Sequence, residues 1–172
     1  PLFLVTERGY DLAEANRLLG LSRIPGLFMV LLAGWITDRL SPSTTISLAL
    51  ALTGAAIVVL GIGPAPAIAP AVFLQSAASA CLFPPTLSLA SRISTPESRA
   101  LTLSVSLAVA PVIGGGLIPA AIALAGDLGS FSAGLAGTGV VTAAGIVLVG
   151  PMKRFAGPSA AADDKIAKSD GA

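Results

Sequence analysis

Arg23 stands near the middle of the apolar stretch Ala15 to Thr37, and its side chain is the one in this sequence best suited to holding a ligand. A guanidinium offers a planar fork of N–H donors that matches a carboxylate or an inorganic oxyanion. If the stretch crosses a membrane, Arg23 lies within ~5 Å of the bilayer midplane. Placing a charge there costs roughly 2.5 to 3.5 kcal/mol, so the side chain must face protein or a water-filled cavity. Two uses fit: an anion site, or a structural arginine satisfied by helix-end carbonyls or a distant carboxylate. At 100° per residue Asn16, Gly20, Arg23, Leu27, Val30 and Gly34 fall near one line on the same helix. Arg17 sits off that line and nearer the end, where it can snorkel to the interface. A second polar line, Gln75, Ser79 and Thr86, runs down a later helix, with Gln75 close to Arg23 in depth. It serves either a cavity wall or a contact between helices. The candidate ligand-binding residues are therefore Arg23, Asn16, Gln75 and Ser79.

Other chemistries drop out. The sequence has no His and a single cysteine, Cys81, so histidine relays, soft-metal ligand sets and an internal disulfide are excluded. Neither a phosphate-cradling G-x-x-x-x-G-K-[ST] loop nor a G-x-S-x-G elbow occurs. No catalytic residue, metal or cofactor is expected. Ten Lys and Arg against nine Asp and Glu leave no basic face for nucleic acid.

The elements that must position these residues are membrane helices. Of 172 residues 54% are hydrophobic and 11% charged, against roughly 25% charged in a soluble domain. Charge-free runs cover Leu40 to Ser91, Ala100 to Gly126 and Leu128 to Met152. The first is 52 residues long; as one helix it would run ~78 Å, far beyond a hydrocarbon core of ~30 Å. The Gly61-Ile62-Gly63-Pro64-Ala65-Pro66 segment must break it. The reading is an all-α integral membrane protein with a half-bundle over 1–152. Its complete spans lie at about 15–37, 44–63, 67–91, 101–125 and 131–152, after a truncated span at about 1–5. Residues 153–172, rich in Ala, Ser, Asp and Lys, form a disordered tail. Arg39, Arg92, Arg99, Lys153 and Arg154 fall in loops of one parity and only Arg8 in the other, which puts the C-terminus in the cytoplasm.

Within the fourth complete span Pro111, Gly114, Gly115, Gly116 and Pro119 form a dense group of helix breakers. They read as a hinge, or as glycines that let helices approach closely. The second and fifth complete spans offer only Thr53, Thr138 and Thr142 as interior polar residues, which suits peripheral, lipid-facing positions.

Between the first two complete spans stands Gly34-Trp35-Ile36-Thr37-Asp38-Arg39-Leu40. It resembles the G-x-x-x-D-R-x-G-R-R/K loop signature of the major facilitator superfamily. Ser41, Pro42 and Ser43 replace the signature's glycine and basic residues, as in the degenerate copy of the second half. The resemblance implies the C-terminal six-helix half of a twelve-helix transporter, from the end of the seventh helix to the twelfth, with the N-terminal six-helix half missing. It further implies a cytoplasmic gate motif at Gly34, Asp38 and Arg39, with Gly34 allowing close packing. Arg23 and Gln75 would face the cavity. The function implied is secondary active transport of a small, anionic solute across a cytoplasmic membrane by alternating access, with the solute and the lipid bilayer as partners. Two alternatives are a structural or assembly membrane protein and a permease subunit driven by a separate ATPase.

Overall fold

A computed structural model of the chain describes residues 2–95 and 97–155, apart from the side chains at 92, 93 and 152–155. Five helical stretches are long and apolar enough to cross a membrane: Leu12–Leu40, Pro42–Ile62, Ala65–Ser91, Arg99–Asp127 and Phe131–Pro151. A short helix α1 (Leu2–Thr6) precedes them. Among the described residues every regular element is helical. The tail expected to be disordered from 153 is still helical to Phe155, and the remainder of it lies outside the described residues.

Local chemistry sets the boundaries. The first span begins at Leu12, earlier than the 15 read from hydropathy, because Asp11 caps it: the Asp11 carboxylate accepts from the Ala13 N–H at 3.0 Å. The span is two helices, α2 (Leu12–Leu21) and α3 (Arg23–Leu40), with a break at Ser22. Pro25 has no N–H for the Leu21 carbonyl, and the Ser22 hydroxyl turns back to the Leu19 carbonyl at 2.8 Å. The second span is one helix, α4 (Pro42–Ile62), entered through Ser41 alone, whose φ is +82°. It ends at the Gly61–Pro66 segment, where α5 starts at Ala65 behind Pro64.

The third span breaks in the same way as the first. Between α5 (Ala65–Ala80) and α6 (Phe83–Ile93) the chain turns at Cys81 and Leu82, where Pro84 and Pro85 remove the donors for the Ala80 and Cys81 carbonyls. The fourth span holds α7 (Arg99–Pro111), a π-helical turn at Val112–Leu117 and α8 (Ile118–Asp127). The fifth holds α9 (Phe131–Ala144) and α10 (Ile146–Phe155).

Packing corrects one expectation. The second span is not peripheral: it packs against the first, third and fifth and is the most enclosed, with 39% of its most apolar window buried against 0% for the fourth span. Small residues explain this. A Cβ placed on Gly54 would stand 2.7 Å from the Gly139 carbonyl oxygen, and one on Gly139 would stand 2.8 Å from that of Gly54. Gly61 meets the Ala136 nitrogen and the Ser132 carbonyl at 2.8 Å in the same sense. The backbones of the second and fifth spans therefore touch along a glycine seam, which is how helices associate where lipid removes the hydrophobic drive. Three small apolar clusters complete the interior: Leu4, Ala15 and Ile68; Ala33, Ala49 and Cys81; Ile46, Leu89 and Val149.

Candidate functional site

The first and third spans face each other across a pocket. Arg23 opens α3 directly after Ser22, and the pocket beside it, of 310 Å³, is lined by Arg23, Gly26, Leu27, Val30, Ser76, Ser79 and Ala80. Arg23 is exposed, and no carboxylate lines the pocket with it among the described residues. Ser79 is half-buried and donates to the Ser76 carbonyl at 3.1 Å. A permanent cation and the Ser76 hydroxyl on an apolar wall can hold a small oxygen-bearing anion.

Two of the four candidate ligand residues, Arg23 and Ser79, meet in this pocket, and two do not. Asn16 is exposed, seven residues before Arg23 and so ~10 Å away along the axis. Gln75 is half-buried outside the lining. Thr86, third on the Gln75 line, is turned away into an apolar pocket of 150 Å³ with Leu103 and Leu107, and donates to the Leu82 carbonyl at 2.6 Å. A constant 100° per residue does not survive the break at Cys81 and Leu82, so residues on its two sides no longer share a face. Sequence reasoning missed Ser76 and Gly26, which no local signal sets apart from serines and glycines that only pack.

The Gly34, Asp38 and Arg39 motif lies at the opposite end of the first span from Asp11. Asp38 and Arg39 are both exposed, and the Arg39 guanidinium sits 5.0 Å from the centre of the Trp35 ring. A Cβ on Gly34 would meet nothing within 4 Å among the described residues, so the close packing expected there has no partner among them. The same is true of Gly114, Gly115 and Gly116 in the π-helical turn. Pro111 closes α7 before that turn and Pro119 follows it in α8.

At the other end Glu7 and Arg8, between α1 and the first span, tie three helix ends together. Arg8 donates to the carbonyls of Leu60 at 2.8 Å, Gly61 at 2.6 Å and Gly63 at 3.1 Å, closing the C-terminus of the second span, and its guanidinium lies 5.3 Å from the Phe3 ring centre. The Glu7 carboxylate accepts from the Phe131 N–H at 2.5 Å, the Ser132 N–H at 3.0 Å and the Ser132 hydroxyl, capping the N-terminus of the fifth. The Ser132 hydroxyl, helped by those two N–H groups and by Arg8 and opposed by partial loss of hydration, holds the Glu7 carboxyl below its ordinary pKa.

Comparison with known proteins adds one match. The family model described as Major Facilitator Superfamily matches residues 1–168. No curated protein and no solved structure matches the chain. With a signature-like loop between its first two spans, five membrane-length helices and a family match over nearly its whole length, the chain belongs to the Major Facilitator Superfamily, a family of multi-pass membrane transporters.

Proposed function

We propose that the chain moves a small anionic solute across the cytoplasmic membrane by alternating access, as the C-terminal six-helix half of a secondary transporter whose C-terminus is cytoplasmic. The observation that carries this reading is Arg23: a guanidinium at membrane depth, lining an open pocket between two broken spans with no carboxylate on its wall among the described residues. Asp38 and Arg39 brace helix ends at the cytoplasmic gate, and the π-helical turn with its three glycines is where the fourth span bends during the cycle. The second half of the bundle, on the other side of the pocket, comes from the N-terminal six helices of the family fold.

The alternatives receive less support. A structural or assembly protein leaves the pocket lined by Arg23 and Ser79 without a role. A permease subunit driven by a separate ATPase needs a helix between spans to receive the motor, and the turn from the first span to the second is Ser41 alone.

The test is uptake into vesicles by the full-length protein, wild type against Arg23→Ala and Arg23→Lys, over a panel of inorganic and carboxylate anions. Uptake of one anion is expected to fall at least ~100-fold in Arg23→Ala and to be only partly restored by Lys, because an ammonium lacks the bidentate fork. Uptake of every anion at background, or uptake indifferent to both substitutions with insertion unchanged, would sink the anion reading.

A further inference from the structure

Ser76 is the least explained polar side chain of the pocket. The residue is 5% exposed, yet it lines the same pocket as Arg23. Ser79 turns its hydroxyl to a backbone carbonyl at 3.1 Å, the usual refuge of a serine in a membrane helix, but that carbonyl is the one belonging to Ser76; the Ser76 hydroxyl itself makes no hydrogen bond among the described residues and keeps accessible surface toward the pocket. An accessible hydroxyl beside a guanidinium is free to donate to a bound anion.

Gly26 explains why the hydroxyl is reachable. A Cβ at that position would stand 3.3 Å from the Ser76 carbonyl oxygen, 3.4 Å from Ser76 Oγ and 3.5 Å from Ala80 Cβ. Any side chain there would cover the Ser76 hydroxyl and narrow the space between the two helices. Gly26 is three residues after Arg23, hence nearly one helical turn along the same face. The cation, the uncovered hydroxyl and the missing side chain therefore stand together on the wall of one pocket.

We infer that Ser76 is a second ligand of the anion held by Arg23, and that Gly26 sets which anions fit. The occupant is a compact oxyanion, either one carboxylate group or an inorganic oxyanion, with one oxygen accepting from the guanidinium and another from the Ser76 hydroxyl. This assignment rests on the anion-transport reading and names the residues that decide specificity within it. Spherical halides, which cannot span both donors with separate oxygens, bind more weakly.

The experiment uses the full-length protein in proteoliposomes, with nitrate, inorganic phosphate, acetate and chloride as probes. Ser76→Ala is expected to raise the KM of the transported oxyanion about tenfold, the loss of one hydrogen bond to a charged group, while chloride is unaffected. Ser76→Thr, which keeps the hydroxyl, retains most of the affinity. Gly26→Ala raises the KM for tetrahedral phosphate more than for planar nitrate or acetate. A second measurement does not depend on transport: Ser76→Cys in a Cys81→Ala background is labelled with an anionic methanethiosulfonate. The transported anion slows labelling several-fold, and Arg23→Ala abolishes that protection. Arg23-dependent uptake whose KM is unmoved by Ser76→Ala and Gly26→Ala, or Cys labelling that no anion slows, overturns this assignment and leaves the anion reading intact. Loss of all Arg23-dependent anion uptake overturns both.

Discussion

Ser41 occupies the position where the superfamily signature carries a glycine, and its backbone has φ +82° and ψ 146°. That conformation is close to a region that only glycine enters freely, at a cost of about 1–3 kcal/mol for other residues. The turn forces it, because one residue must reverse the chain between Leu40 and Pro42. The Ser41 hydroxyl recovers part of the strain through Thr44, 3.1 Å away at the start of the second span. Ser41→Gly is expected to raise stability by about 1 kcal/mol, the strain relieved less the lost hydroxyl contact with Thr44 and the added freedom of the unfolded chain. Thermal unfolding of the detergent-solubilised protein reads this, and a lower midpoint in Ser41→Gly would show that the turn is unstrained. At the same scale Arg23 was legible from its type and depth alone. Ser76 was not, since nothing in its neighbours in sequence distinguishes it from a serine that bonds its own helix.

Helices in this chain are joined less by bulky side chains than by their absence. Gly54 and Gly61 of the second span stand one heptad apart and meet Gly139, Ala136 and Ser132 of the fifth with backbone in contact. Gly139→Val drives a branched side chain into the Gly54 carbonyl and the Val58 nitrogen, each 2.8 Å from its Cβ. Overpacking of this kind costs about 1–3 kcal/mol. Gly137, on the same helix, has nothing within 4 Å of its Cβ position, so Gly137→Ala should leave stability unchanged or raise it by up to about 1 kcal/mol. Thermal midpoints of the two variants side by side are the measurement, and equal effects would argue against a seam. The proline breaks act at this scale too. Pro25 and Pro84-Pro85 interrupt two neighbouring spans, and the pocket lies between those spans, beside Arg23 to Val30 on one and Ser76 to Ala80 on the other.

For the molecule as a whole, the two ends of the described bundle are held differently. At one end Glu7 and Arg8 fasten α1 and the ends of the second and fifth spans through hydrogen bonds to backbone. At the other, Asp38 and Arg39 are exposed, with Arg39 resting on Trp35. The fastened end carries a pH signature. Because the folded state lowers the Glu7 pKa, the ionised carboxylate stabilises the fold above the ordinary glutamate value of about 4.3. This contribution is lost as pH falls through the lowered folded-state value. Glu7→Gln should therefore lower the thermal midpoint at pH 7, and the gap from wild type should close as pH is brought down toward 3. A gap that persists unchanged at low pH would mean that the Glu7 charge does not hold the fifth span.

By itself the sequence determined the membrane class, the approximate positions of five spans, the break at Gly61–Pro66, the family resemblance through Gly34, Asp38 and Arg39, and the isolated charge at Arg23. Each follows from local properties: transfer free energy summed over about 20 residues, the missing N–H of proline, and the cost of a charge in hydrocarbon. Only the tertiary structure decided that the second span is central, that Arg23 meets Ser76 and Ser79 and not Asn16 or Gln75, and that Arg8 closes a helix more than fifty residues away. Those outcomes depend on how helices rotate and approach. Rotation is reset at every break, and in a chain this rich in glycine, approach is set by side chains that are not there.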